Sequence, residues 1–467
     1  MTKSNLLLPL NRPQYIALPE GFLSAIAWGR YHNLPKIDGA TQALKFRGVS
    51  SLGKSLKVVF TDPSRPDDEE LGKAFRKNLQ NFGINIAEDS APLAEAVANS
   101  ILGIQPQGGK TIPASPMTPS LALLQNLEAI SGSANPVGLA EILETIFSLG
   151  DTSTSNDTVA GLWRNAMDTR LKTSTLLNTI DSALLETLAV FSELKERPQQ
   201  QKTVFIGWSE NLENSPFTWF NKSWRTITSE SWVQTLPPRV WTDWATTVLR
   251  MGYGLAYLWE TAWYVAIART VIGGYSASPK DIVSRMDQIL PWRKLDAGTE
   301  VRDVNSKIIS RAESSLMIRE AIETWYSKQT SSFSSMEDEV AELSKDSEVL
   351  QKFSNALRPM NATDPTQRLR EAIFYSLQTR DEEDFFGLLS KRGKYKLPEP
   401  GIEWIAAISS LAIGEPGKKS DLATIKSHLN EAGLEPNLDE LTKLLEVAGL
   451  ARSSADSDQG MVVEAAF

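Results

Sequence analysis

Two histidines, His32 and His428, are the only imidazoles in a chain of 467 residues that contains no cysteine. A Ser-His-Asp triad would need one of these rings beside a nucleophilic serine. The G-x-S-x-G motif that positions such a serine is absent, and the near match at Gly207–Asn211 (GWSEN) lacks the final glycine. The sequence therefore predicts no serine or cysteine hydrolase.

Metal chemistry would have to proceed without thiolates. The absence of cysteine excludes disulfides, iron–sulfur clusters and thiolate zinc sites. Asp62, Glu69, Glu70 and Lys73 are the residue types of a metal-dependent nuclease core. Such a core needs the later residues at alternate positions of a strand, whereas a helix is predicted from Asp67. We expect no metal site and no cofactor.

One segment of the sequence resembles a phosphate-binding loop. Residues 104–111 (IQPQGGKT) resemble a GxxxxGK[ST] loop, with Ile104 in place of the first glycine. That loop must open a helix whose N-terminus holds the phosphate, but Pro113 and Pro116 follow here. Carboxylate runs at 337–339 and 381–384 lie where helices are predicted to begin, which favours a role in complementing the helix dipole. The sequence thus predicts a protein that is not an enzyme.

The composition is that of a folded, acidic protein. Hydrophobic residues make up 41% of the chain, the net charge is −9 and the pI is near 5.2. This charge disfavours a surface that binds nucleic acid or anionic membrane over its whole extent. No signal-peptide pattern is present near Met1, so we expect a soluble, cytoplasmic protein.

The most apolar segment comprises residues 251–268, in which Glu260 is the only charged residue. A carboxylate near the middle of a bilayer costs about 2.5–3.5 kcal/mol. The apolar pattern also continues upstream to Pro238, beyond the ends of a minimal membrane span. The sequence predicts one long buried helix over 238–273 and no membrane partner.

Apolar spacing elsewhere predicts a mainly α fold. Helices are expected from residues 67 and 91, and long ones at 173–197 and 300–329. Strands are expected only in the first 65 residues, at 15–18 and 56–60, and in the last 18 residues.

These elements divide the chain into several domains, as its length also suggests. The predicted parts are a small α/β N-terminal portion (1–104), a helical domain (121–390) and a C-terminal domain (398–467). The proline and glycine content of 103–120 and 391–401 is typical of linkers.

Tryptophan is concentrated in one region, with eight of the 13 residues between positions 208 and 263. Rings at helical spacing usually pack into a core. The alternative is an aromatic interface with another protein, for which Trp219, Trp224 and Trp232 are the candidates.

The last 70 residues have their own pattern. Three amphipathic helices, beginning near Ile402, Ser420 and Asn437, precede a hairpin predicted over 450–464. This order resembles that of a winged-helix domain, and the resemblance implies such a fold for residues 398–467. That segment contains five basic and 12 acidic residues, and a helix that reads DNA should be basic. Protein contact is therefore favoured.

Together these observations predict a non-enzymatic structural or adaptor subunit of a larger bacterial protein assembly, with protein partners. The alternative is an accessory nucleic-acid-binding subunit of a DNA-processing or phage-defence complex. Its contacts would come from the basic stretch at 36–57 and from Lys391, Arg392, Lys394 and Lys396.

Overall fold

A computed structural model describes most of residues 115–467 and parts of residues 1–114. The described residues are 4–14, 19–31, 36–37, 40–41, nine single residues between 73 and 101, 115–123, 136–187, 195–197, 212–275, 277–290, 292, 304–330, 333–358, 364–379, 386–393, 395–452 and 461–467.

Helices dominate these residues, which confirms the predicted mainly α fold. The helices are α1 (Gly21–Gly29), α2 (Pro119–Leu123), α3 (Pro136–Leu149), α4 (Val159–Thr173), α5 (Thr175–Thr187), α6 (Pro216–Ile227), α7 (Glu230–Thr235), α8 (Pro238–Gly273), α9 (Pro279–Ser284), α10 (Val304–Tyr326), α11 (Met336–Leu343), α12 (Ser347–Ala356), α13 (Asp364–Leu377), α14 (Ile402–Ile413), α15 (Leu422–Glu431) and α16 (Leu438–Val447).

In the described part of the chain, the strands are short and form three antiparallel sheets. They are β1 (Lys36–Ile37), β2 (Ala40–Thr41), β3 (Leu389–Arg392), β4 (Tyr395–Pro398), β5 (Lys419–Asp421), β6 (Ala451–Arg452) and β7 (Val462–Glu464). The strand orders are β1-β2, β3-β4 and β5-β7-β6.

Helix α8 is the central element of the fold. Its 36 residues span about 54 Å. Pro238 occupies the first turn, where its missing N–H costs nothing, and Gly274 ends the helix in the left-handed region with φ 61°. Residues on all sides of α8 are buried, as the sequence predicted for 238–273. Among the described residues, no helix combines the length and hydropathy that crossing a bilayer requires.

The helices around α8 approach it closely. Helices α6, α10 and α13 make the most extensive contacts with it. A Cβ atom at Gly252 would lie 2.3 Å from the ring of Phe220, and one at Gly254 would lie 2.5 Å from Ser376 Oγ. Gly252 and Gly254 are therefore sites of close helix packing, where any larger residue would collide with a neighbour.

The core is continuous along the described chain. Apolar side chains from Leu6 near one end to Ala465 near the other belong to one contact cluster. The domain boundaries predicted at 104, 121 and 398 remain predictions.

The prediction of a linker at 391–401 is wrong for most of these residues. Strands β3 and β4 form a hairpin in which Leu389 pairs with Pro398 and Arg392 with Tyr395. Gly393 adopts φ 62° in the turn, a conformation that favours glycine and suits a tight hairpin. Sequence reasoning missed these strands because the lysine-rich composition resembles a solvated linker, although Leu389 and Leu397 are buried.

The C-terminal unit, residues 402–467, contains the predicted elements in the predicted order: three helices followed by the β6–β7 hairpin. Asn437 caps α16 by accepting a hydrogen bond from the Asp439 amide. The cap of α15 is Asp421, one residue after the predicted Ser420. Strand β5 was not expected from the sequence; it adds a third strand by pairing with β7.

Several predicted boundaries differ from the structure. The helix predicted over 173–197 is interrupted at Ser174, which is extended, and Glu196 pairs with Tyr31 in an isolated bridge. The helix predicted over 300–329 is α10, which is slightly shorter. Within the linker predicted at 103–120, the described residues 115–120 are mostly buried.

Other predictions fall on residues outside the described part of the chain. These are the strands at 15–18 and 56–60, the helix from residue 91, the start of the helix at 67, the loop at 104–111, the carboxylate run at 381–384 and the motif at 207–211.

Candidate interaction surfaces

The three candidate interface tryptophans lie inside the protein. Trp219 and Trp224 are on α6 and Trp232 is on α7, and all three are 0% exposed. Their burial makes them unavailable to another protein in this conformation, so the interface hypothesis is corrected for these three residues. The cause is the long apolar α8, which gives the rings an internal surface on which to pack.

Two of these rings instead join the C-terminal unit to the rest of the chain. The Trp232 indole Nε1 donates a hydrogen bond to the carbonyl oxygen of Gly414, at the end of α14, over 2.8 Å. The Trp219 ring lies 5.7 Å from the His428 ring of α15. Trp224 faces elsewhere and donates to the Val159 carbonyl oxygen. The aromatic cluster therefore forms an intramolecular interface.

His428 is buried in that contact. Its Nε2 lies 3.3 Å from Ser223 Oγ, and the neighbouring Lys222 forms an ion pair with Glu431 at 2.9 Å. Burial, together with the positive charge of Lys222, lowers the pKa of His428 from 6.5 to about 4. The imidazole is therefore neutral at physiological pH, which suits a packing residue better than a general base working near pH 7.

This pKa predicts an acid-sensitive contact. Between about pH 6.5 and pH 4 the unfolded chain binds a proton at His428 that the folded chain does not bind, so the free energy of unfolding falls as the pH falls. At pH 5 this proton uptake by the unfolded chain is expected to lower the free energy of unfolding by about 2 kcal/mol relative to pH 7.5. We expect His428→Gln to remove this part of the pH dependence in urea unfolding experiments at pH 7.5 and pH 5. An unchanged difference between the two pH values would contradict the prediction.

The candidate nucleic-acid residues lie on the β3–β4 hairpin. Lys391 is exposed on β3 and pairs across the strands with Lys396. Lys396 is half-buried, donates to Gln378 Oε1 and lies 4.4 Å from the centre of the Phe374 ring. Arg392 is placed in β3, its side chain is outside the described part, and Lys394 is outside it altogether. Of the basic stretch 36–57, only 36–37 and 40–41 are described.

A polar cleft lies along α8. It is open to solvent and shallow, with room for about one water molecule, and is lined by Pro19, Glu20, Thr242, Asp243, Thr246, Thr247, Arg250 and Phe386. Arg250 already donates to the carbonyl oxygens of Ser376, over 3.0 Å, and Gln378, over 2.8 Å. The lining contains hydroxyls and carboxylates but no imidazole. These groups can hydrogen-bond a water molecule, but they do not form a nucleophile–base pair.

A loop after α3 places oxygen-bearing side chains at alternate positions, as calcium-binding loops do. Asp151, Ser153, Ser155 and Asp157 converge, but on a guanidinium: Arg225 Nη2 lies 2.9 Å from Asp151 Oδ2, 3.2 Å from Ser153 Oγ and 3.0 Å from Ser155 Oγ. Arg225 also donates to Asp157. The arginine occupies the place that a cation would take, so this cluster serves to fix the loop.

Elsewhere, no group of three or more His, Asp or Glu residues with metal-binding geometry occurs in the described ranges. Glu144 of α3 accepts hydrogen bonds from the Val159 and Ala160 amides, both over 2.8 Å, at the start of α4. Burial raises the pKa of Glu144 to about 7. Its position explains the burial: it caps a helix.

The exposed side of α16 is the most distinctive free surface of the C-terminal unit. It carries Asp439, Lys443, Glu446 and Val447, while Leu441 and Leu445 face the core. Val447 is 73% exposed, the largest exposure of any large apolar side chain in the described residues. An exposed valine among carboxylates is available for contact with a partner.

No protein-family model matches the chain, and no curated protein matches it significantly.

Proposed function

We propose that this protein is a structural or adaptor subunit of a larger assembly, and that the exposed side of α16 binds a partner protein. The carrying observation is the combination of Val447 with Asp439 and Glu446 on that side of the helix. The partner that fits is a protein surface with an apolar contact ringed by lysine or arginine, because such a surface complements both the valine and the carboxylates.

The arrangement of the C-terminal unit supports this proposal. Its helix–strand–helix–helix–hairpin order, with sheet order β5-β7-β6, resembles a winged-helix domain, in which α16 would be the recognition helix. Residues 398–467 contain five basic and 12 acidic residues, and the resulting net negative charge repels phosphate. A winged-helix-like unit with this charge is suited to binding protein.

The unit is also held firmly enough to act as a platform. Lys222 of α6 pairs with Glu431 of α15, and Trp232 of α7 bonds to the end of α14. Leu290 also forms an isolated parallel β-bridge with Leu434. Because these contacts anchor the unit, a partner on α16 would be fixed relative to the helical body. This is what an adaptor requires.

The test compares two charge-reversing double variants of tagged full-length protein, purified from the native host. Glu446→Lys with Val447→Ser alters α16, and Glu320→Lys with Met317→Ser makes the matching change on the exposed side of α10. We expect the first variant alone to reduce recovery of a co-purifying protein by at least about 10-fold, because opposing like charges disfavour binding. Equal recovery with both variants would refute the role of α16.

The nucleic-acid alternative predicts a different result. If the hairpin lysines bound phosphates, DNA affinity would fall steeply with salt, with a log–log slope of about −0.9 per phosphate neutralised. We expect weak or absent DNA binding, because Lys396 is engaged with Gln378 and Phe374 and the C-terminal unit is acidic. Tight, salt-sensitive binding that is lost when Lys391, Arg392, Lys394 and Lys396 are replaced by Ala would make the alternative the leading function.

A further inference from the structure

Residues 4–14, here called the N-terminal arm, contain no helix or strand, and their backbone groups contact side chains of α8, α10 and α11. Burial alternates along the arm: Leu6, Leu8 and Leu10 are at most 1% exposed, whereas Leu7 and Pro9 between them are half-buried. This alternation is characteristic of a β-strand. The arm, however, pairs with side chains of helices.

Six side chains hydrogen-bond the backbone of the arm. The Trp263 indole donates to the Leu6 carbonyl oxygen over 3.0 Å, and Tyr264 Oη accepts from the Leu8 amide over 3.2 Å. Arg319 donates to the Leu10 carbonyl oxygen over 3.0 Å. The remaining contacts are Glu339 accepting from the Asn5 amide, Tyr257 donating to the Asn11 carbonyl oxygen, and Tyr253 bonding both the amide and the carbonyl oxygen of Gln14.

The spacing of these side chains matches an extended chain. Tyr253, Tyr257 and Tyr264 recur on one face of α8, and the eleven residues from Tyr253 to Tyr264 cover about 17 Å of helix. The six residues from Leu8 to Gln14, whose backbone these tyrosines contact, cover about 20 Å when extended. The arm runs antiparallel to α8, since Leu6 contacts Trp263 and Gln14 contacts Tyr253.

Buried charge completes the groove. Glu260, on the same face of α8, accepts from Arg319 over 2.8 Å, and Glu323 accepts from the same guanidinium over 2.9 Å. The two carboxylates orient Arg319 toward the Leu10 carbonyl oxygen. At the other end, Ser4 donates to Glu339. The groove therefore has two parts: backbone-binding groups, which read any extended chain, and apolar sites for leucine at alternate positions.

We propose that this surface is a peptide-binding groove specific for an extended segment with leucine at every second position. Its own arm occupies the groove, and the arm of a second copy is the ligand that fits in trans. An intramolecular arm has an effective concentration in the millimolar range, so the trans arm binds when the cis arm is detached. The inference is independent of the partner proposed for α16.

The experiment uses the full chain with a protease site inserted after Gln14 and cut after folding. The probe is a fluorescently labelled peptide of residues 2–14 (TKSNLLLPLNRPQ). We expect the cut protein to exchange its arm for the probe at a urea concentration below the unfolding transition, with saturable anisotropy. A Leu8→Asn peptide should bind at least about 30-fold more weakly because Leu8 is fully buried, and a Leu7→Asn peptide should bind within a few-fold of the probe.

Circular dichroism of the cut protein serves as the second measurement. A cut protein that keeps its helical signal while exchanging the arm supports the proposal. Loss of the helical signal on cutting, with no recovery on adding the peptide, would show that the arm is an integral part of the core. Equal binding of the Leu7→Asn and Leu8→Asn peptides would overturn the leucine specificity.

Discussion

Replacing Trp259 by Ala is expected to lower the free energy of unfolding by about 3–5 kcal/mol, as large-to-small changes in a core do. The Trp259 ring is 5% exposed and stacks on Trp263 with ring centres 5.3 Å apart. The edge of Phe217 packs against it at 5.5 Å. Removing the ring leaves a cavity beside Phe217 and Trp263 that cannot close easily, because α6 packs extensively along α8.

Urea unfolding followed by circular dichroism measures this effect without relying on tryptophan fluorescence. Leu185→Ala on α5 is a matched control: its side chain is 48% exposed, so its removal should change the free energy of unfolding by no more than about 0.5 kcal/mol. Trp259→Phe should fall between the two variants. If Trp259→Ala unfolds like Leu185→Ala, this face of α8 is not part of the core.

Replacing Arg319 by Met is expected to be equally damaging, at about 3–5 kcal/mol near pH 8. The change removes the cation from Glu260, whose side chain is 7% exposed, and the donor from the Leu10 carbonyl oxygen. Burial raises the pKa of Glu260 to about 7 even with Arg319 beside it. Without the guanidinium, the folded protein above pH 7 must hold an unpaired buried charge or take up a proton.

The sign of the pH dependence follows from linkage. A carboxyl group whose pKa is higher in the folded state favours folding below its unfolded pKa, and this contribution is lost as the pH rises through about 7. The loss caused by Arg319→Met should therefore be smaller at pH 5.5 than at pH 8, when both are measured by urea unfolding. Adding Glu260→Gln should recover at least about 1 kcal/mol at pH 8.

An exposed arginine provides the control for Arg319. Arg269 pairs with Asp287 over 3.1 Å, with side chains that are 44% and 50% exposed. Arg269→Met should cost no more than about 1 kcal/mol and should show little dependence on pH, because solvent screens this pair. Equal losses for Arg269→Met and Arg319→Met would mean that burial of Glu260 has no energetic consequence.

Local sequence signals predicted the elements whose causes are local. The run from Pro238 to Gly273 has a proline that starts a helix and a glycine that ends one, and α8 has these bounds. Asn437 was identified as a helix start and caps α16. The hairpin at the end of the C-terminal unit was also predicted, since apolar residues flank a polar turn there.

Sequence reasoning failed where distant residues decide the outcome. The lysine-rich hairpin β3–β4 was read as a linker because the leucines that anchor it, Leu389 and Leu397, are few and lie at its ends. The packing of the arm against α8 was not predicted from the sequence. A usable signal existed, however: the alternation of Leu6, Leu8 and Leu10 and the tyrosines at 253, 257 and 264 could have been matched to each other.

The sequence by itself determined that the protein is mainly α, that its longest apolar helix carries a charge, and that the chain has two histidines and no cysteine. Only the tertiary structure decided which faces are covered. The sequence favours a core position for Trp219 and Trp232 but leaves a surface position open until α8 and the C-terminal unit are placed against them. The physical reason is that burial depends on contacts between residues far apart in the chain, whereas helix caps and apolar periodicity act within a few residues.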